Sequence, residues 1–324
     1  MKAVVYSTYG LPDVLQFKEV DQPVPGDHDV LIKTYAASIN SWDWDLLRGE
    51  PFIVRLAGGG LFKPKKKIIG CDVAGTVEKV GKKVTKFKAG DAVLGDLSGG
   101  GWGAFAEYVC APENSLTRKP DGMTFEQASS LPQAGVMALQ GVRDYGKVEA
   151  GQKVLINGAG GGVGTLAIQM AKMYGAEVTG VDKTNKLEIM QQLGADHVID
   201  FTKEDFTKSG NHYDIILDVV GHHSIYDYKR SLEPGGMYRM IGGPHGLIFQ
   251  SIFIGPIISM FSKKKMGILT HEPNKNMNFL IQLFEEGKVK PVIDKVFPLQ
   301  ELVDAFRYFG QGDFMGKVVI VMRK

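Results

Sequence analysis

The densest group of residues with a chemical use in this 324-residue chain is a glycine run, Asn157-Gly158-Ala159-Gly160-Gly161-Gly162-Val163-Gly164. It follows the short apolar run Lys153-Val154-Leu155-Ile156-Asn157 and leads into helix-forming residues from Val163 to Tyr174. Against the pattern GxGxxG, Ala159, Gly161 and Gly164 take the three key places, so the first is Ala. Small residues there let a strand turn sharply into a helix, let a pyrophosphate approach the backbone and let helix and sheet pack closely. The helix start also presents free N–H groups and a positive dipole end to phosphates. An acid, Asp182, ends the next strand-like run at about the 20-residue spacing of a carboxylate that bonds a ribose 2′-hydroxyl. A dinucleotide site built from Ala159, Gly160, Gly161, Gly162, Val163, Gly164 and Asp182 is therefore expected. Asp182 favours NAD(H), whereas the neighbouring Lys183 and Lys186 suit the 2′-phosphate of NADP(H). The sequence leaves both coenzymes open.

The elements around this run alternate. After Lys153–Asn157 come strand-like Glu177–Val181, a helix from Lys186 to Leu193, and strand-like runs at His197–Ile199, Ile215–Leu217 and Met237–Ile241. Strands alternating with helices predict βαβ units and a doubly wound parallel sheet. The first third reads differently. Short runs rich in β-branched residues, such as Val30–Lys33, Val73–Val77 and Ala92–Leu94, are separated by turn signals at Pro25-Gly26-Asp27 and Ala89-Gly90-Asp91. That pattern predicts a compact barrel-like β-domain. The tail from about Val296 returns to strand character, ending in Lys317–Val321, and is expected to rejoin it.

Composition narrows the function classes. The chain is 44% hydrophobic and 23% charged with a net charge of +2, too weak a bias to argue for nucleic acid. Two cysteines, Cys71 and Cys110, form no CxxC and cannot build a four-cysteine zinc lobe. The start, MKAVVYSTYG, lacks the apolar stretch of a signal peptide, and the apolar run Leu247–Phe261 is too short and too interrupted to span a bilayer. A cytoplasmic protein with no transmembrane segment is expected. Two basic clusters, Lys63-Pro64-Lys65-Lys66-Lys67 and Lys263-Lys264-Lys265, read as solvated loop charge.

Several ordered motifs carry a family resemblance. These are Ser38-Ile39-Asn40-Ser41-Trp42-Asp43, Gly70-Cys71-Asp72-Val73-Ala74-Gly75, Gly103–Val109, the glycine run, Leu193-Gly194-Ala195-Asp196 and Gly316-Lys317-Val318-Val319. Over nearly its whole length the chain resembles the medium-chain dehydrogenase/reductase superfamily, in the zinc-independent quinone oxidoreductase branch that includes zeta-crystallin. The resemblance implies an α/β protein with a GroES-like β-barrel domain over residues 1–122 and 296–324, and a Rossmann domain over 123–295. It implies that Asn40 and Asp43 are catalytic and face the substrate, with Asn40 donating a hydrogen bond to an acceptor oxygen and Asp43 orienting it or relaying a proton. Trp42, Trp44 and Phe52 are expected to line a flat apolar pocket. It further places Gly221, the loop Ile241-Gly242-Gly243 and Lys317 near the coenzyme, and implies a homodimer. Zinc-dependent relatives have a metal-binding Cys where this chain has Asn40, and a His-Glu pair where it has Cys71-Asp72. Catalytic zinc needs three protein ligands, so no metal is expected.

Losing zinc changes the plausible substrates. Reducing a simple ketone puts charge on its oxygen, which zinc stabilises as a Lewis acid. Quinones and α,β-unsaturated carbonyls take hydride at a conjugated carbon and delocalise that charge. The expected function is thus an NAD(P)H-dependent oxidoreductase transferring hydride to such small molecules. The alternatives are a zinc-free enoyl-thioester reductase and a non-catalytic coenzyme-binding protein.

Overall fold

The computed structural model describes residues 1–322. The chain divides into two compact units, one of Met1–Val136, Pro273–Glu285 and Pro291–Lys324, the other of Met137–Glu272 and Glu286–Lys290.

The first unit begins with β1 (Lys2–Val5) and β2 (Gln16–Glu19), an antiparallel pair. Next come β3 (Asp29–Ser38), β4 (Asp72–Val80), β5 (Ala92–Asp96), β6 (Tyr108–Pro112) and β7 (Thr117–Arg118). Strand β3 pairs antiparallel with β4 and β6, β4 with β5, and β5 with β7. The β3–β4 register shifts twice, between Leu31 and Ile32 and between Thr34 and Ala36, which bends and twists the sheet as a barrel wall requires. Between β3 and β4 the chain forms the helix Ser41–Arg48, which ends at Gly49 in the left-handed region (φ 63°).

The second unit is the doubly wound sheet. Its strands are β8 (Lys153–Asn157), β9 (Glu177–Asp182), β10 (His197–Asp200), β11 (Tyr213–Asp218), β12 (Leu232–Met240) and β13 (Lys265–Ile268). They lie in the order β10-β9-β8-β11-β12-β13, every pairing parallel. The winding reverses between β8 and β11, and a ligand crevice in such sheets opens beyond the carboxyl ends of the strands at that switch. Strands β8, β9 and β11 are almost wholly buried, as strands covered on both faces by helices must be.

Strand β13 starts within the second lysine cluster, where Lys263 and Lys265 are exposed but Lys264 is not simply solvated. Lys264 donates through Nζ to the carbonyls of Lys229 and Leu232, at 2.8 and 2.7 Å, closing the end of the helix Ile225–Arg230. Lys66 of the first cluster is likewise engaged, donating to the Gly101 carbonyl at 2.8 Å. The run Leu247–Phe261 is helical, with Leu247 and Ile258 packed into the second unit's core.

Strands β14 (Ile293–Pro298) and β15 (Lys317–Val321) complete the first unit. Strand β15 lies between β14, which it joins in parallel, and β3, which it joins antiparallel. The helix Leu302–Gln311 links them and buries Leu302, Ala305 and Phe306. Phe306 meets Phe105 edge-on, ring centroids 5.8 Å apart, and stacks with Trp44 at 6.3 Å. No helix among the described residues is long and apolar enough to cross a membrane.

Candidate active site

In the second unit, β8 ends in the glycine turn. The left-handed residue is Gly158 (φ 82°), one place before Ala159, so the sharp turn is made upstream of the register read from the pattern. Helix Gly162–Met173 starts directly after Gly161, whose place is not taken by any side-chain cap. Its first N–H groups therefore lack intrahelical acceptors and suit an anion. At Gly164 a Cβ would stand 2.3 Å from the Gly158 carbonyl oxygen and 2.5 Å from the Ala159 Cα, which is why helix and strand need glycine there. At Gly161 the nearest atom would be 3.5 Å away, leaving room for a ligand's close approach. A pyrophosphate fits this cradle.

Asp182 ends β9 and folds back on the turn. Its Oδ2 accepts from the Gly160 N–H at 2.9 Å and its Oδ1 from the Lys183 N–H at 2.9 Å. Lys186, only 5% exposed, brings Nζ to 3.5 Å from the same carboxylate. Residues that the sequence set against each other as coenzyme determinants are thus an ion pair, and Asp182 presents little net negative charge. The loops of Gly221 and of Ile241-Gly242-Gly243 meet at the carboxyl ends of β11 and β12: a Cβ on Gly243 would stand 3.2 Å from the Gly221 Cα. Val219 and Val220 adjoin Gly158 in the same way, so glycine turn and both loops share one end of the sheet.

Sequence reasoning missed the residue that ties these ends together. Asp218, fully buried at the end of β11, accepts from Asn157 Nδ2 and the Gly221 N–H, each at 2.8 Å, and from the Tyr238 hydroxyl at 2.9 Å. Burial pushes its carboxyl above the usual range against these bonds. The one signal for it was an acid placed at the end of an apolar strand just before Val219-Val220-Gly221.

In the first unit, strand pairing assembles a second polar group. Asp72 opens β4 opposite Ser38 of β3 and Asp96 of β5, and Lys317 opens β15 beside them. Asp72 Oδ2 accepts from Asn40 Nδ2 at 2.9 Å and Ser38 Oγ at 3.0 Å, and lies 3.4 Å from the Lys317 ammonium. Its Oδ1 accepts from the Gln133 N–H at 3.0 Å. Lys317, 3% exposed, also donates to Asn40 Oδ1 and to the Ile39 carbonyl. Lys317 thus stands in this cluster of the first unit.

Asn40 and Asp43 are both buried and both engaged. Asn40 Nδ2 serves Asp72 and, at 3.3 Å, the Cys71 sulfur. Asp43, with no exposed surface, accepts the Asn40 N–H at 2.8 Å and the Gly70 N–H at 3.0 Å. Burial nevertheless pushes its carboxyl up to about 8, with the Asp72 charge adding to the rise and the Lys317 charge opposing it. The pair fixes the entry into helix Ser41–Arg48.

Could this cluster hold zinc? Cys71, Asp72 and Asp96 offer ligand atoms within 4.8 Å of one another. The Asp72 carboxylate already faces a buried ammonium, and the Cys71 thiol is held well above its ordinary pKa by burial and by Asp43 and Asp72. Zinc binds thiolates. It would have to displace Lys317 and ionise a thiol among carboxylates, so this donor set does not fit zinc.

Beside the cluster, still within the first unit, lies a cavity of about 540 Å³ walled by Trp42, Asp45, Leu46, Val54, Lys66 and Trp102. Trp42 is where the sequence placed it. Trp44 instead packs in the core against Phe306, and Phe52 is surface-exposed and outside the lining.

The parallel sheet and its glycine turn define a dinucleotide-binding fold. Residues 26–121 match the family described as "Alcohol dehydrogenase GroES-like domain" and residues 193–320 the one described as "Zinc-binding dehydrogenase". The chain is 32% identical over 335 residues to the chloroplast envelope quinone oxidoreductase homolog of Arabidopsis thaliana, covering 99% of this chain and 98% of that protein. It is 35% identical to the chloroplastic NADPH-dependent alkenal/one oxidoreductase of the same plant, covering 99% and 79%. The structure of the quinone oxidoreductase from Coxiella burnetii superposes with a TM-score of 0.88 at 29% identity, covering 100% of this chain and 99% of that one. The chain belongs to the medium-chain dehydrogenase/reductase superfamily, among its quinone oxidoreductases and alkenal/one reductases.

Proposed function

We propose that this chain is an NAD(P)H-dependent oxidoreductase that reduces quinones or α,β-unsaturated carbonyls without zinc. The observation that carries the reading is the glycine turn at the switch point of the parallel sheet, with Gly158 making the turn and Gly164 seating the helix. Relatives named as quinone and alkenal/one oxidoreductases support the substrate class. A bound reduced nicotinamide supplies the hydride. The chain's own residues bind and position it: Ala159 to Gly164 receive the pyrophosphate, Asp182, Lys183 and Lys186 meet the adenosine ribose, and Gly221 with the loop Ile241-Gly242-Gly243 receives the nicotinamide half. Asn40, Asp43 and Lys317 act as positioning residues, through the buried network that holds the start of helix Ser41–Arg48. The Lys317 ammonium supplies there the positive charge that a metal would otherwise bring. NADP(H) is favoured over NAD(H) because Lys186 neutralises Asp182. A homodimer in the cytoplasm completes the reading, checked by light scattering and by cell fractionation.

The test follows the loss of reduced-nicotinamide absorbance with NADPH and NADH against a p-benzoquinone and an aryl enone. Turnover with both acceptors and a higher kcat/KM for NADPH are expected. Asp182→Ser should raise the NADPH/NADH ratio further, and Lys186→Met should lower it about tenfold, the loss of one charge-assisted bond. Coenzyme binding without turnover of either acceptor would overturn the proposal in favour of a non-catalytic role. Turnover of an enoyl thioester alone would move the substrate class.

A further inference from the structure

Helix Ser41–Arg48 presents Trp42, Asp45 and Leu46, at i, i+3 and i+4, to the 540 Å³ cavity. Opposite stand Trp102 and the loop Ser98–Gly101, which Lys66 holds by its bond to the Gly101 carbonyl. The lining is apolar and aromatic apart from Asp45, Lys66, Ser98 and the loop backbone. Asp45 is half-buried, and its carboxyl makes no hydrogen bond or ion pair among the described residues. The charges around it are engaged elsewhere: Arg48 pairs with Glu50, Arg55 donates to the Gly49 carbonyl and lies over the Tyr9 ring, and Lys66 is on Gly101. A pocket with aromatic walls and few unpartnered polar groups, here the Asp45 carboxyl and the Ser98 hydroxyl, is the usual form of a small-molecule site.

We propose that this cavity seats the flat conjugated acceptor and that Asp45, as a neutral acid, donates a hydrogen bond and then a proton to the acceptor oxygen. This rests on the reductase reading above. Burial, with Glu50 adding to the effect and Arg48 opposing it, pushes the carboxyl up to about 6, so a fraction is protonated near neutrality and can serve as the proton donor. Asn40, with its amide hydrogens spent on Asp72 and Cys71, leaves that oxygen without a donor, and Asp45 fills the role. The step balances. The conjugated carbon accepts hydride from the reduced coenzyme, its π electron pair moves to the oxygen, and that oxygen takes the Asp45 proton. The carboxylate that remains is reprotonated from water at the mouth, where Trp42 is 40% exposed.

The test separates binding from turnover. Acetophenone, a flat ketone outside the proposed substrate class, is titrated by tryptophan fluorescence, since Trp42 and Trp102 line the cavity. Its affinity for the parent protein should fall about tenfold per pH unit above about 6. In Asp45→Asn, which keeps a donor without a titrating group, it should be flat from pH 5 to 8, and in Asp45→Leu weak throughout. With NADPH and a p-benzoquinone, Asp45→Leu should lose about 100-fold in kcat while its affinity for NADPH is unchanged. Asp45→Asn should lose the kcat decline with rising pH. Ketone binding that ignores both pH and Asp45, or an unaltered kcat–pH profile in Asp45→Asn, would overturn the assignment. A titrating ketone site without quinone turnover would instead retire the reductase reading and leave the cavity assignment standing.

Discussion

At the scale of single residues, the first unit's polar cluster shows how a fold makes a buried charge tolerable. Asp72 and Lys317 are both nearly inaccessible, and each would be costly alone in a low-dielectric interior. Lys317→Met leaves Asp72 uncompensated, and a loss of about 3–5 kcal/mol in urea unfolding at pH 7 is expected. The sign of its pH dependence follows from linkage. Burial already raises the Asp72 pKa and the ammonium lowers it, so removing the ammonium lifts the folded-state value further above the unfolded one. The folded protein then binds more protons than the unfolded, and stability falls as pH rises. The variant should therefore lose more at pH 8 than at pH 5, and a deficit that is flat or smaller at pH 8 would refute the ion-pair account. Little of this was legible beforehand. Asn40, Asp43 and Lys317 came from motif resemblance, and no local rule joins Lys317 to an acid 245 positions away.

At the scale of elements, the strand–turn–helix unit at β8 separates two uses of glycine. Gly164→Ala puts its Cβ 2.3 Å from a backbone oxygen that cannot swing aside, so the helix must lift off the strand. A destabilisation of about 1–3 kcal/mol is expected, read as a lower midpoint in thermal unfolding. Gly161→Ala meets nothing nearer than 3.5 Å and should leave that midpoint unchanged. Its methyl instead occupies the path of the pyrophosphate, so NADPH affinity should fall about tenfold by fluorescence titration. Equal effects of the two variants on unfolding would refute this division. Most of the second unit could be read along the chain because a βαβ unit is local: periodicity changes from strand to helix within a few residues. Strand β13 could not, since its four residues, Lys265–Ile268, form a strand only by adding to the edge of β12.

At the scale of the whole molecule, the C-terminal tail is structural rather than peripheral. Strand β15 is internal to its sheet, and Val318, Val319 and Ile320 have no exposed surface. Ending the chain before Gly316 would expose these neighbours and open the edges of β3 and β14. Such a chain should lose near-ultraviolet circular dichroism and most of its recovery after expression. Native spectra from the shorter chain would show that the sheet closes without β15. The return of the tail was foreseeable from its strand character, but not its partners, because a run of valines pairs equally well with any edge.

The amino-acid sequence by itself determined the alternation of strand and helix and the turn that suits a pyrophosphate. These depend on spacing within one turn, one strand or one motif, where backbone sterics leave few outcomes. Only the tertiary structure decided that Asp182 and Lys186 neutralise each other, that Lys317 meets Asp72, and that Asp45 faces a cavity while Trp44, the residue before it on the same helix, packs into the core. Those outcomes turn on strand register and on which side of a short helix the barrel closes. Both are set by the burial of side chains far apart in sequence, and no spacing along the chain encodes them.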